Sequence, residues 1–224
     1  MSAVLFVVTA ARTWTLSDGT AHPTGYWAEE LLTPYRLLTE VGHTVAFATP
    51  GGVEPVADAA SMGDDADEVR NALAAIDGLS NPLRLEDVDL SGYDAVFYPG
   101  GHGPMEDLSQ DATSGALLAQ ALNTDLPVAL VCHGLAALLA ATGEDGTAAA
   151  AGRRVAAFTN AEETQAGLAD RAPWLLESTL RERGIAVDAA EPWVDHVVVD
   201  GNLVTGQNPQ SSGSVARALL ERLA

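Results

Sequence analysis

Short, nearly continuous apolar runs alternate with amphipathic stretches along most of the chain. The runs Ala3 to Thr9, Thr44 to Ala48, Ala95 to Tyr98, Val128 to Val131, Val155 to Phe158, Val187 to Ala189, Trp193 to Val199 and Leu203 to Thr205 predict strands. Stretches with helical spacing predict helices over Tyr26 to Val41, Ala66 to Ile76, Ser109 to Thr124, His133 to Thr142, Pro173 to Arg183 and Ser212 to Leu223. Strands separated by helices of this length predict an α/β fold. Its sheet is doubly wound and mostly parallel, with helices on both faces. The Asp200-Gly201-Asn202 turn between two β-rich runs predicts a late β-hairpin. Three polar stretches read as surface excursions: Arg12 to Gly25, Gly51 to Asp67 and Gly143 to Gly152. The first is the best placed to wall an active site. None has the composition of an interdomain linker, so residues 1–224 read as a single domain.

Composition narrows the function classes. Hydrophobic residues make up 47% of the chain and charged ones 19%, which describes a globular protein and not a disordered one. No apolar stretch approaches the length of a membrane span, and Met1 to Thr9 reads as a strand, not a signal sequence. A single cysteine forms no intramolecular disulfide, which fits a cytoplasmic location. Net charge is −20, from 31 acidic residues against 11 basic ones, and every basic residue is arginine. This balance opposes binding to nucleic acid and to anionic membranes. The lysine-free, acidic composition fits either a GC-rich genome or adaptation to salt.

Ligands of open α/β sheets bind at the carboxyl ends of the strands, and four unusual features fall there. Cys132-His133 ends the run Val128 to Val131, where a strand-to-helix turn would form a nucleophile elbow. A lone buried cysteine is usually inert core, but its place at a strand's carboxyl end beside His133 reverses that reading, since a helix N-terminus and a neighbouring His⁺ would favour the thiolate. Gly100-Gly101-His102-Gly103 follows Ala95 to Tyr98 and suits close backbone approach to an oxyanion, or simply a tight turn. Glu29 and Glu30 open the first predicted helix, and Glu162 and Glu163 follow Val155 to Phe158. Either pair also suits helix capping, and spacing alone does not choose within a pair.

Together, Gly-Gly-His-Gly, Val-Cys-His-Gly, Thr24-Gly25-Tyr26-Trp27-Ala28-Glu29-Glu30, Phe158-Thr159-Asn160-Ala161-Glu162-Glu163 and Thr205-Gly206-Gln207-Asn208-Pro209-Gln210-Ser211-Ser212 resemble the PfpI-type superfamily. This is the flavodoxin-like, class I glutamine amidotransferase-like fold, and the combination is similar to its glyoxalase III and heat-shock chaperone branch. The resemblance implies Cys132 as nucleophile, His133 as its partner and Glu163 as the acid orienting that histidine. It implies Glu30 as the carboxylic acid against the sulfur and the Gly101 and His133 amides as oxyanion donors. His102, Gly100, Trp27 and Asn208 are implied around the pocket. The implied activity is a glutathione-independent conversion of methylglyoxal or a related α-ketoaldehyde to a hydroxy acid. It needs no cofactor and no metal, acts on a small reactive carbonyl substrate, and belongs to a homodimer.

Other functions share this fold. A glutaminase would carry a late His-x-Glu motif, and the late histidine here, His196, lies in Asp195-His196-Val197-Val198. A cysteine peptidase, an isocyanide hydratase, and a stress chaperone or redox sensor remain as alternatives. His102, His133, Glu30 and Cys132 are residue types that also bind Zn²⁺, but a metal would block the covalent role the resemblance gives the cysteine. Trp27 and Trp193 suit a pocket wall or core filling equally.

Overall fold

The runs Ala3–Val7, Ala95–Tyr98, Val128–Val131 and Leu203–Gly206 are buried along almost their whole length, as strands covered on both faces must be. The computed structural model describes residues 1–143 and 146–224, so part of the predicted excursion Gly143 to Gly152 lies outside the described residues. The first half of the chain forms β1 (Ala3–Val7), β2 (Thr13–Thr15), β3 (Ala21–Pro23), α1 (Ala28–Glu40), β4 (Thr44–Thr49), α2 (Ala66–Ala74), β5 (Leu83–Arg84) and β6 (Ala95–Tyr98). There follow α3 (Gly103–Glu106), α4 (Ala112–Leu122), β7 (Val128–Val131), β8 (Arg154–Val155), α5 (Asn160–Gln165), α6 (Leu176–Glu182), β9 (Ala186–Val187), β10 (Val197–Asp200), β11 (Leu203–Gly206) and α7 (Ser212–Arg222).

A seven-stranded sheet runs in the order β10-β11-β7-β6-β1-β4-β5. All its pairings are parallel except β10 with β11, which form the predicted late hairpin around Gly201-Asn202. From β1 the chain moves outward to β4 and β5, then returns to β6 and builds in the other direction. Right-handed crossovers in opposite directions put helices on opposite faces. Thus α1 and α7 pack together over the sheet, while α4 packs on β7 and the turns after it. In the core Phe6 stacks on Phe97 at 4.6 Å and meets Phe47 edge-on at 5.6 Å. The switch point between β1 and β6 opens the crevice that the site occupies.

Four local expectations are corrected. The helix expected over His133 to Thr142 is instead a run of 3-10 turns, Cys132–Leu139. It is buried on every side, and Gly134 is pressed so close to Tyr98 that a Cβ would lie 2.5 Å from that carbonyl oxygen. The strand expected over Val155 to Phe158 shrinks to Arg154–Val155. It pairs with β9 in a separate ribbon, because beyond Val155 the backbone turns to bond Thr205 Oγ1 and then enters α5. The strand expected from Trp193 begins only at Val197, since Trp193 takes a positive φ of 63° that no strand accommodates. The loop Arg12 to Gly25 contains the β2–β3 hairpin, pinned by Trp14, which is buried.

Candidate active site

Cys132 follows the last residue of β7 with φ 56°, so its backbone turns sharply and leaves the side chain standing off the strand end. A positive φ in a non-glycine residue is strained, and the packed surroundings hold it. Its Sγ lies 3.4 Å from His133 Nδ1. The other nitrogen of His133, Nε2, is 2.7 Å from Glu163 Oε2, and the second carboxylate oxygen, Oε1, is 2.9 Å from His102 Nε2. Trp14 stacks on His102 at 5.0 Å, so the excursion Arg12 to Gly25 does back the site. Burial alone would raise Glu163, but His133 and His102 hold it well below the ordinary carboxylate range. An ionised carboxylate only accepts, so both imidazoles present Nε2–H to it. The Nδ1 of His133 is thereby left as the acceptor facing sulfur.

Glu30 enters from the first turn of α1 and is fully buried. Gly100 N–H donates to its Oε2 at 2.7 Å, while Oε1 makes no hydrogen bond of ordinary geometry to the protein among the described residues. Burial pushes its pKa up to about 8, against the pull of the Gly100 amide and of Cys132 beside it. Glu29, by contrast, is exposed.

The charge state of the sulfur differs from the sequence expectation. Burial and the nearby Glu30 carboxylate push the Cys132 thiol well up, only partly offset by the His133 amide. His133 is pushed down by burial and by His102, so it is the neutral base and not His⁺. The cause is desolvation, which disfavours any lone charge here. The Glu30 part of the push on Cys132 exists only while Glu30 is ionised, and at neutral pH Glu30 keeps its proton. The resting arrangement is thus a thiol, a neutral imidazole and a carboxylic acid, with the charge on Glu163.

A cavity of about 70 Å³ lies over the sulfur, walled by Trp27, Gly101, His102, Phe158 and Trp193 among others. Both tryptophans therefore wall the pocket. Gly101, at φ 87°, fits where a Cβ would lie 2.4 Å from Gly25 O, and the neighbouring Gly100 carbonyl accepts from Trp27 N–H at 3.0 Å. Two expectations fail here. Gly100 does not face the cavity, because its N–H is taken by Glu30 and a Cβ on it would meet Glu30 Oε2 at 2.7 Å. Asn208 is buried outside the pocket, its Nδ2 donating to Glu162 Oε1 and Val194 O at 2.8 Å each. His196 pairs with Asp188 at 3.5 Å and takes no part in the site.

Sequence reasoning missed two features. The bridging of both histidines by one carboxylate depends on β6 and α5 meeting in space, which spacing does not encode. The second is the role of the other oxygen of Glu162: its Oε2 closes a capping box with Thr159, as its place in the sequence suited, but its Oε1 accepts from Trp193 N–H, Asn208 and Gln207. The sequence carried a signal for the box alone, in the place of Glu162 in the first turn of a helix beginning after a threonine. His102, His133 and Glu163 offer donor atoms within 4.8 Å of one another, a spacing that a metal ion would accept. Both Glu163 oxygens are already engaged by imidazole N–H groups, so an ion would have to displace both bonds.

Known proteins resemble this chain over much of its length. The chain is 29% identical over 214 residues to glutathione-independent glyoxalase hsp3102 of Schizosaccharomyces pombe, covering 89% of each. It is 32% identical over 141 residues to glutamine amidotransferase-like class 1 domain-containing protein 1 of Bos taurus, a match taking in 63% of this chain and 64% of that protein. The match thus spans less than two thirds of that relative's length. The solved structure of Rapid Encystment Protein 24 kDa of Francisella tularensis superposes with a TM-score of 0.90 at 29% identity over the whole of both chains. Residues 24–222 match the DJ-1/PfpI family and include Glu30, His102, Cys132, His133 and Glu163, so the chain belongs to the DJ-1/PfpI family.

Proposed function

We propose that this protein is a glutathione-independent glyoxalase that converts methylglyoxal or a related α-ketoaldehyde to a hydroxy acid at Cys132. The observation that carries the reading is Glu30: a fully buried carboxyl beside Cys132, its pKa pushed up to about 8, next to a nucleophile that lines a cavity of about 70 Å³. A three-carbon dicarbonyl suits a cavity of that size. The S. pombe relative named glutathione-independent glyoxalase supports the same reading.

The steps follow from the groups present. His133 Nδ1 accepts the thiol proton as Sγ attacks the aldehyde carbon, and it passes the proton to the new hydroxyl. The product is a hemithioacetal, whose oxygen the Gly101 and His133 amides would hold in the role the family resemblance implies. His133 then takes the proton from the former aldehyde carbon while Glu30 protonates the ketone oxygen, giving an enediol. Return of the first proton to the second carbon, with Glu30 recovering one from the first hydroxyl, leaves a hydroxyacyl thioester. Water cleaves it to the hydroxy acid and restores the thiol. A positioned acid–base group contributes roughly 100- to 10,000-fold.

The test is lactate formation from methylglyoxal by the purified protein without glutathione. Wild type should produce lactate, Cys132→Ala none, and Glu30→Gln less by about 100-fold or more. A wild-type protein that forms no lactate overturns the proposal.

A further inference from the structure

Trp193 is 38% exposed and stands in the left-handed region at φ 63°, an unfavourable conformation for a bulky aromatic residue. Three contacts hold it there. Glu162 Oε1 accepts its backbone N–H at 2.9 Å, Gln165 Oε1 accepts its indole N–H at 2.6 Å, and its ring meets Phe158 edge-on at 5.6 Å. Glu162 carries no solvent exposure, and the same Oε1 takes Asn208 Nδ2, which also ties down the carbonyl of Val194. Both acceptors for Trp193 therefore come from α5, the short helix that also supplies Glu163 to the histidines. Trp193 so held forms one wall of the cavity over Cys132.

From this arrangement we propose that Trp193 sets the upper size of the carbonyl substrate, and that Glu162 and Gln165 are positioning residues that fix its pose. The substrate class rests on the glyoxalase reading above; the gate itself does not. A wall clamped at both its backbone and its indole nitrogen yields little to a larger substituent. It favours an α-ketoaldehyde with a methyl group over one with an aryl group.

Cys132 is the one cysteine of the chain, so alkylation reports this cavity alone. Rates with iodoacetamide and with N-phenylmaleimide, measured on wild type and variants, give a bulky-to-small ratio that needs no turnover. Trp193→Ala should raise that ratio by about 10-fold or more, the range a hydrophobic wall commands in discriminating substituents. Gln165→Ala and Glu162→Gln, which keep the ring but loosen its hold, should move it the same way by less. A merely structural role would change both rates together and leave the ratio still. The ratio of kcat/KM for phenylglyoxal over methylglyoxal should follow the same order. If wild type turns over neither compound, the glyoxalase reading fails while the alkylation ratio still decides the gate. An unchanged ratio in Trp193→Ala, or in Trp193→Ser should the alanine variant not fold, overturns it.

Discussion

One carboxylate carries two histidines in this site, and that makes Glu163 a sharper target than its distance from the sulfur suggests. In Glu163→Gln one of the two imidazoles meets an amide N–H₂ where it met an acceptor. A hydrogen bond to a charged group contributes roughly 1.5–3 kcal/mol, or about 10- to 100-fold in rate. We expect kcat for lactate formation to fall by that factor, not to vanish as in Cys132→Ala. Glu30 makes a different prediction. Its folded pKa of about 8 is raised above the ordinary 4.5, so its contribution to stability is complete below pH 4.5 and is lost as pH rises through about 8. Urea midpoints of wild type should therefore decline between pH 5 and pH 8.5, and the decline should be smaller in Glu30→Gln. The same titration requires kcat/KM for methylglyoxal to drop above pH 8 as the acid loses its proton.

The loops and short helices that hold these side chains rest on close backbone approaches. A Cβ on Gly100 would sit 2.7 Å from Glu30 Oε2 and 2.8 Å from the His133 nitrogen, whereas one on Gly92 meets nothing within 4 Å. Gly100→Ala should cost on the order of 2 kcal/mol and cut activity, while Gly92→Ala stays within about 0.5 kcal/mol of wild type in urea unfolding. The buried central strands and the late hairpin were legible in the sequence because continuous burial leaves continuous apolar runs, as at Val128 to Val131, and because Asp200-Gly201-Asn202 has turn chemistry of its own, whereas the two-residue, exposed β5 left no such run. The turns after Cys132 were not legible as 3-10. Leu135-Ala136-Ala137-Leu138 is apolar on every side, so it has no period to distinguish one helix type from another. The helix α5 was too short, at 6 residues, to show a period at all, and the hairpin β2–β3 is hidden in a polar stretch. Of the site itself, the residue types and their order were readable. The exclusion of Gly100 and Asn208 from the cavity was not, since it depends on which neighbour claims each polar atom.

Thirty-one acidic side chains against 11 arginines leave the chain repelling itself, and among the described residues no helix is long and apolar enough to cross a membrane. Salt screens such repulsion over about 10 Å at 0.1 M, and each kcal/mol regained is about 2–4 °C in Tm for a chain of this size. Thermal unfolding should accordingly rise by a few degrees between low salt and 0.5 M NaCl. The fold gathers its chemistry where the sheet changes direction: Glu30 comes from α1 between β1 and β4 of the sheet, just after the β2–β3 hairpin, Gly101 and His102 follow β6, and Cys132 follows β7. The proposed role of Cys132 rests on that convergence, and product analysis tests it most directly. Methylglyoxal incubated with the protein in the absence of glutathione, followed by NMR, should disappear into lactate with wild type and persist with Cys132→Ala. Lactate formed equally by both proteins, or by neither, would contradict the account.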